Sequence, residues 1–198
     1  MSDKENQLNK RLYRQYCLSR RQHGNYSDDS RKIAEKLAVF LHESAFTRVA
    51  LYWPIRGEID LRDVALTWLG GKSERVLGLP FIQDGIMRFA QWGPNCVMGK
   101  GFMGICEPVR KVVIEPELII VPCLAMDRLG VRLGYGGGWY DRTLPHCKAF
   151  SLGVLCSDYL FDTLPRESQD YLLNGCLTEK GLLVFKKNGG TVQKLRRH

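Results

Sequence analysis

The sequence predicts an α/β protein in which helices cover both faces of a mixed, largely parallel sheet. Short apolar segments that end near proline or glycine alternate with segments whose apolar residues recur at helical spacing, and this alternation is typical of a layered α/β sheet. The 198 residues are 44% hydrophobic and 25% charged, which suits one globular domain. We therefore expect a single domain over residues 1–185 and a basic tail over 186–198.

Four helices are expected along the chain. The first is basic, and its Lys10 and Arg14 share one face because they are four residues apart; taken alone, this pair is typical of a solvated helix surface. The second follows a turn rich in residues that favour a helix N-terminus. The helices span 4–22, a segment after the turn at 25–30 that contains Ile33, Ala34, Leu37, Phe40 and Leu41, residues 61–69, and residues 141–144.

Six strands complete the predicted sheet. Proline closes two of them, because it lacks the N–H group that would continue the ladder. Pro122 ends the segment ELIIV, whose four consecutive apolar residues make it the clearest inner strand. The predicted strands are 48–53, 75–79, 86–92, 117–121, 150–155 and 181–185.

The net charge of +8 is carried by the two ends of the chain. Residues 1–22 hold six Lys/Arg and two acids, and residues 186–198 hold five Lys/Arg and no acid, which leaves the residues between them at −1. An RNA-binding protein that uses both basic ends is an alternative. A nearly neutral body does not require one, so we expect no nucleic-acid partner.

The cysteines, the apolar runs and the N-terminal segment argue against several other classes of protein. The seven cysteines form no CxxC pair and no Cys/His cluster, which argues against a disulfide framework and a structural zinc site. No apolar run is long enough to span a bilayer, and the first eleven residues lack the apolar core of a signal peptide. We expect a cytoplasmic monomer with reduced thiols and no membrane partner.

The densest chemical signal is the segment RLGYGGGWYDR over 132–142, in which four of five consecutive residues are glycine. Such density is costly in backbone entropy, and it is expected where consecutive N–H groups converge on an anion; the alternative is a flexible surface loop. Arg132 and Arg142 flank the glycines with groups suited to phosphate oxygens, and Asp141 is a candidate Mg²⁺ carboxylate. The segment is neither a Walker A motif nor a dinucleotide fingerprint.

Several segments together resemble the signature of the 5-formyltetrahydrofolate cyclo-ligase family, also called methenyltetrahydrofolate synthetase. The block over 121–142 is the most specific of them. The supporting segments are KxxYR at 10–14 with RR at 20–21, LYWPIRGEID at 51–60, and CEP at 106–108. The resemblance covers roughly residues 8–185. It implies a three-layer, Rossmann-like sheet similar to ribose-5-phosphate isomerase and the CoA transferases.

The resemblance implies a ligase that converts 5-formyltetrahydrofolate to 5,10-methenyltetrahydrofolate with ATP and Mg²⁺, releasing ADP and phosphate. The formyl oxygen is a poor leaving group, so its phosphorylation would let the folate N10 amine attack the carbon while phosphate departs. Such chemistry requires positioning and charge neutralisation. It needs no protein nucleophile, in line with the lack of a Ser/His/Asp or Cys/His signature.

By the resemblance, three ligands share one site. ATP would be bound by Lys10, Arg14, Arg132, Leu133, Gly134, Tyr135, Gly136, Gly137, Gly138, Trp139 and Tyr140. The folate would be bound by Trp53, Glu58, Gly136, Gly137, Gly138 and Tyr140, with the Glu58 carboxylate accepting hydrogen bonds from the pterin. Mg²⁺ would be bound by Asp141 and Asn174, and Arg132 and Tyr140 are the expected catalytic residues.

Two positions depart from the family's usual pattern. Asn174 stands where the family has an aspartate, and since an amide oxygen carries no charge we expect weaker Mg²⁺ binding or the use of Asp170 instead. Trp139 replaces a tyrosine or phenylalanine, so the aromatic ring is kept and a phenol hydroxyl is not. The first departure leaves open a relative that binds nucleotide or folate without cyclising it. Glu58, taken alone, also fits an exposed acid in a turn.

Overall fold

A computed structural model describes residues 3–185, and the predicted basic tail over 186–198 lies outside the described residues. The described part contains four α-helices, none of them both long and apolar enough to cross a membrane. The helices are α1 (Asp3–His23), α2 (Ser27–Glu43), α3 (Arg62–Gly70) and α4 (Trp139–Thr143). All four helices were predicted.

Thirteen short strands accompany the helices within residues 3–185. They are β1 (Arg48–Ala50), β2 (Val76–Gln83), β3 (Ile86–Trp92), β4 (Met98–Lys100), β5 (Cys106–Pro108), β6 (Val113–Ile114), β7 (Leu118–Pro122), β8 (Ala125–Asp127), β9 (Arg132–Leu133), β10 (Phe150–Val154), β11 (Leu160–Phe161), β12 (Gly175–Thr178) and β13 (Gly181–Val184). Eight form one sheet in the order β13-β12-β10-β7-β1-β2-β3-β6. The strands from β12 to β2 run parallel, and the remaining pairings are antiparallel. The predicted mixed, largely parallel sheet is confirmed.

The sheet is covered on both faces. In β7 the four residues from Leu118 to Val121 are fully buried, and since successive side chains of a strand point to opposite faces, neither face is open to solvent there. Helices α2 and α3 pack against each other, and α2 also contacts β12. The apolar stripe of α2 is buried as expected at Ile33, Leu37, Phe40 and Leu41.

Two smaller sheets accompany the large one, and helix α1 packs against one of them. One small sheet has the order β11-β8-β9, and the other is the hairpin β4-β5. Helix α1 buries Cys17 completely, and its Tyr13 ring meets the Phe161 ring of β11 edge-on at 5.3 Å. Helix α1 is therefore anchored to elements that come more than a hundred residues later in the chain.

The differences from prediction concern short elements. The strand predicted over 48–53 pairs only as far as Ala50, although the Leu51 amide still donates to the Gly78 carbonyl at 3.0 Å. Strands β4, β5, β6, β8, β9, β11 and β12 were not predicted, because two to four residues are too few to show an alternating pattern. Their pairing is decided by the segments that the large sheet brings beside them.

A buried carboxylate organises the loop between β8 and β9. Asp127 is 1% exposed. Its Oδ1 accepts from the amides of Leu129 and Val131, each at 2.9 Å, and its Oδ2 accepts from the amide of Leu164 at 3.0 Å. Buried carboxylates are tolerated when backbone N–H groups satisfy them in this way. Asp127 therefore fixes the loop that leads directly to Arg132 and ties it to the segment after β11.

We expect Asp127→Ala to lower the free energy of unfolding by about 3 kcal/mol, because it leaves three N–H groups without their acceptor. Urea denaturation followed by fluorescence measures this change. The matched control is Asp162→Ala, whose side chain is 93% exposed and should change stability by less than about 0.5 kcal/mol. Similar effects of the two substitutions would contradict the role assigned to Asp127.

Candidate active site

The glycine segment, residues 134–138, connects β9 to α4 in a conformation that requires glycine. Gly136 has a φ of +97° and Gly138 a φ of +65°, values in the left-handed region that residues with a side chain rarely adopt. Gly138 directly precedes α4. Because α4 has only five residues, its dipole contributes little, so binding of an anion here would depend on the glycine amides and the neighbouring arginines.

Arg14 of α1 lies against the glycine segment. Its Nε donates to the Gly134 carbonyl at 2.9 Å, and its guanidinium lies 3.7 to 3.9 Å from the position that a Cβ atom on Gly136 would take. The structure thus brings together two predicted ATP-binding elements that are 120 residues apart in the chain. A half-buried cation beside open backbone suits a phosphate group.

Arg132 is a buried cation with a free donor. Its side chain is 6% exposed, and its Nη2 donates to Asp141 Oδ2 at 2.9 Å. Its Nε is buried and has no hydrogen-bond partner within residues 3–185. The guanidinium carbon lies 5.3 Å from the centre of the Tyr140 ring. The other oxygen of Asp141 accepts from the Tyr171 amide at 3.3 Å. The predicted catalytic residues Arg132 and Tyr140 therefore form one connected group with Asp141.

Lys10 is neither solvated nor free. The residue is 4% exposed, and its Nζ lies 2.9 Å from Glu167 Oε2 and 2.8 and 2.6 Å from the two carboxylate oxygens of Asp170. An ammonium group has three donors, and these contacts use all of them. The interpretation of Lys10 as part of a solvated helix surface is wrong.

Glu58 is held in a tight turn at the carboxyl end of β1. Arg56 and Gly57 both have positive φ, and Glu58 Oε2 accepts from the Ile55 amide at 2.9 Å. Burial raises the pKa of Glu58 to about 7, against the opposing effects of the Ile55 amide and the Arg21 guanidinium. The interpretation of Glu58 as an exposed turn acid is therefore wrong.

Arg21, for which no ligand-binding role was predicted, lies beside Glu58. Its Nη2 donates to the Cys123 carbonyl at 2.8 Å, and its Nη1 donates to the Tyr135 hydroxyl at 3.3 Å. Arg21 lies seven residues after Arg14, which puts both on the same face of α1. That spacing was a signal that could have identified it.

The family model of 5-formyltetrahydrofolate cyclo-ligase matches residues 2–179 of the chain. The chain belongs to this family. The cyclo-ligase of Mycolicibacterium smegmatis is 38% identical over 152 residues, which are 69% of this chain and 75% of that protein. The Escherichia coli K12 cyclo-ligase is 32% identical over 139 residues, which are 66% of this chain and 76% of that protein.

Solved structures of similar proteins agree with the fold of this cyclo-ligase-family chain. The NMR structure of Aquifex aeolicus 5,10-methenyltetrahydrofolate synthetase has a TM-score of 0.76 at 31% identity, covering 92% of this chain and 95% of that one. The Mycoplasma pneumoniae synthetase has a TM-score of 0.70 at 22% identity, covering 86% and 98%. The second similarity concerns the fold alone.

Three other residues that the cyclo-ligase resemblance predicts to bind ligands pack against other side chains or line a separate cavity. The Leu133 side chain is 2% exposed in the core, so only its backbone could face a ligand. Trp53 is half-buried under the Arg62 guanidinium, which lies 4.2 Å from the ring centre. Trp139 meets the Phe102 ring at 5.2 Å and lines, with Arg142, a cavity of about 480 Å³ between α4 and strands β3 and β6. This cavity lies apart from Glu58 and Arg132, which do not line it.

Asn174 has a packing role in this member of the family. Its Oδ1 accepts from the Ser151 amide at 2.9 Å and from the Ser151 hydroxyl at 2.7 Å. These contacts join the amino ends of β10 and β12, the sheet edge opposite to the carboxyl end of β1 that leads to Glu58. They account for an amide at this position and lend no support to the prediction that Asn174 binds Mg²⁺.

We expect the stability of the chain to fall as pH rises from about 4.5 to about 7, because folded Glu58 keeps its proton to higher pH than the unfolded residue does. The loss should approach 3 kcal/mol, the order given by the raised pKa, and should vanish in Glu58→Gln. Urea denaturation across this pH range measures the difference between the two proteins. Glu74→Gln, at a side chain 56% exposed, is the control and should follow the wild type. A pH-independent difference between wild type and Glu58→Gln would contradict the assignment.

Proposed function

We propose that the chain uses ATP and Mg²⁺ to cyclise 5-formyltetrahydrofolate to 5,10-methenyltetrahydrofolate, with release of ADP and phosphate. Membership of the cyclo-ligase family supports the reaction. The observation that carries the proposal is the glycine segment, whose backbone lies beside the half-buried Arg14 and the buried Arg132. A polyphosphate site explains why one buried and one half-buried arginine lie beside a nearly side-chain-free backbone.

The residues around the glycine segment fit a nucleotide triphosphate. Arg14 and Arg132 supply forked donors, and the orphaned Nε of Arg132 is a buried group in need of an acceptor. A phosphate oxygen would satisfy it at low cost, because the guanidinium is already held in place by Asp141. The Tyr140 ring lies beside the Arg132 guanidinium. Burial raises the pKa of its hydroxyl, so the phenol keeps its proton at neutral pH and is able to donate a hydrogen bond.

Asp141 would hold Mg²⁺ that accompanies the nucleotide. Within residues 3–185 no three Asp, Glu, His or Cys side chains are arranged to hold a metal ion by themselves. This fits Mg²⁺, which is usually bound by one or two carboxylates together with substrate phosphates and waters. The ion would supply neutralisation of the charge that grows on the phosphoryl oxygens.

The folate would approach Glu58 and the segment from Gly136 to Gly138. A carboxylate with a pKa of about 7 accepts hydrogen bonds from paired N–H donors of a pterin, and such donors favour its charged form. The cavity that Glu58 lines with Arg21 and Tyr52 has a volume of about 20 Å³, enough for about one water molecule. Entry of a pterin therefore requires the walls around Glu58 to move.

The chemistry needs positioning and no covalent protein intermediate. Transfer of the γ-phosphoryl group to the formyl oxygen makes that oxygen a leaving group, N10 attacks the formyl carbon, and phosphate departs with the oxygen. Arg132 would stabilise the charge on the transferring group. Burial raises the pKa of the Cys123 thiol to about 12, so this cysteine is a poor nucleophile at neutral pH.

The basic first helix is used inside the molecule. Lys10, Arg14 and Arg21 contact other parts of the chain, and Arg20 pairs with Asp158 at 2.8 Å. Fewer cations of α1 are thus free to bind a nucleic acid, which favours the cyclo-ligase proposal over the RNA-binding alternative. A cytoplasmic monomer remains our expectation.

We expect purified protein to form the methenyl product from (6S)-5-formyltetrahydrofolate in an ATP- and Mg²⁺-dependent manner, followed by the absorbance of the product. Failure to form product with pure substrate would contradict the proposal. Calorimetry that showed both ligands bound without turnover would instead favour the relative that does not cyclise.

We expect Gly137→Val to weaken ATP binding at least about tenfold, about 1.4 kcal/mol, because a branched side chain would stand on backbone that must approach phosphate. A Cβ atom there would lie 3.0 Å from the Trp139 ring. The control is Gly70→Val at the end of α3, where a Cβ atom meets no heavy atom within 4 Å. Calorimetry with ATP measures both variants, and unchanged affinity in a folded Gly137→Val protein would mean that the segment does not hold the nucleotide.

A further inference from the structure

Arg21 is held in one orientation at the cavity that Glu58 lines. Its Nη2 donates to the carbonyl of Cys123, which directly follows β7, at 2.8 Å, and its Nη1 donates to the Tyr135 hydroxyl at 3.3 Å. The guanidinium carbon also lies 5.5 Å from the centre of the Tyr159 ring. A planar guanidinium bound through both of its terminal nitrogens has little freedom. Both of these hydrogen-bond acceptors are uncharged oxygens, so the positive charge of Arg21 remains available to act on Glu58.

Tyr135 carries the effect of Arg21 to the turn that holds Glu58. Burial raises the pKa of Glu58, and a hydrogen bond from the Tyr135 hydroxyl is one of the effects that lower it. The Tyr135 ring lies 5.4 Å from the guanidinium carbon of Arg56, two residues before Glu58. A hydroxyl that accepts from a cation is a better donor to a carboxylate, because successive hydrogen bonds polarise one another. Tyr135 therefore joins Arg21 to Glu58 by a polar path.

The proposed folate site needs Glu58 in its charged form, because a protonated carboxyl presents a proton to the N–H donors of the pterin. Burial opposes this charge, and the pKa of about 7 reflects the balance between burial and the groups that lower the pKa. The Ile55 amide, which belongs to the same turn, lowers it most, and Arg21 comes second. Among the groups that other elements contribute, Arg21 thus favours the charged form of Glu58 most strongly.

Three other titratable groups face Glu58. Tyr52 lies just after β1, Tyr140 lies in α4 and Arg132 lies in β9. Burial raises the pKa of both tyrosines, so they are neutral at pH 7. The guanidinium of Arg132 is held in an ion pair at 2.9 Å, which offsets much of its charge. This agrees with the larger effect of Arg21 on the pKa of Glu58.

We propose that Arg21 is a positioning residue of the folate site, which acts through Tyr135 and through its own charge to keep the Glu58 carboxylate ionised and oriented for the pterin. The proposal deepens the proposed function and rests on it, because the ligand of Glu58 is the pterin of the folate. Arg21 follows Arg14 by seven residues on the same face of α1. The helix that contacts the glycine segment therefore also prepares the folate side of the site.

The test measures the affinity of the full chain for (6S)-5-formyltetrahydrofolate by calorimetry without nucleotide, from about pH 6 to about pH 9. We expect binding by the wild type to tighten as the pH rises through about 7, where Glu58 ionises. In Arg21→Met this transition should move up by about one pH unit, so that affinity falls about fivefold at pH 7 and less than about twofold at pH 9. Arg11→Met, at an exposed arginine of the same helix, should follow the wild type. An equal loss of affinity at every pH would indicate a merely structural role and would overturn the proposal.

A variant that cannot ionise at residue 58 shows whether Arg21 acts through Glu58. In the Glu58→Gln background, Arg21→Met should change folate affinity less than about twofold, because no carboxylate is left for Arg21 to hold. A loss at pH 7 as large as the one in the wild-type background would contradict the assignment.

Tyr135→Phe covers the case in which Arg21→Met fails to fold. This substitution removes the hydroxyl between Arg21 and Glu58 and keeps the ring beside Arg56. We expect the pH at which folate binding tightens to move up by about half a pH unit, which weakens binding about twofold at pH 7. A pH profile that matches the wild type would overturn the proposal.

These measurements follow binding and require no turnover. A protein that shows the pH effects and forms no methenyl product would contradict only the proposed function. An active protein that lacks the pH effects would contradict only this inference, and a wild-type chain that binds no folate would contradict both.

Discussion

The docking of cationic side chains from α1 onto the second half of the chain is the interaction on which the site depends. Lys10 pairs with the turn after β11, Arg14 with the glycine segment, and Arg21 with the end of β7. A buried or half-buried cation is stable only when it is paired and hydrogen-bonded. The three contacts therefore hold α1 in one position, and this position closes the site on one side.

The sheet explains how distant segments come to meet α1. The parallel strands deliver the turn with Glu58 and the segment at Cys123 to the same edge, because the carboxyl ends of parallel strands lie together. Asp127 then holds the loop before Arg132 by three backbone amides. The glycine segment begins from a rigid base, which suits the placement of a ligand better than a mobile loop does.

Two parts of the site differ in their charge. Glu58 is half-buried, and this burial favours its neutral form. Arg21 is the cation that lowers the pKa of Glu58 most. Arg132 and Asp141 flank the glycine segment in the chain and pair with each other, in a cluster where carboxylates outnumber cations. A carboxyl group that pterin N–H donors can return to its charged form suits a pterin, and a mixed cluster of cations and carboxylates suits a metal-bound polyphosphate.

Local pattern was sufficient for the fold class and for the glycine segment. The apolar pattern identifies α2 because it buries one stripe, and β7 because it buries both faces. The density of glycine reflects a backbone requirement that Gly136 and Gly138 meet with positive φ. Short strands escaped prediction because their pairing partners, not their own residues, make them strands. The amide of Asn174 also looked like a metal ligand, and its partner Ser151 lies 23 residues away in the chain.

The sequence by itself determined a layered α/β protein, the family, and a backbone built to approach an anion, because these depend on residues close together in the chain. Only the tertiary structure decided what each charged side chain meets. Lys10 and Glu167 are 157 residues apart, and their pairing follows from which turn the sheet presents to α1. Because Lys10 is buried, its charge requires a carboxylate partner, whereas the same lysine on an exposed helix face would be solvated by water.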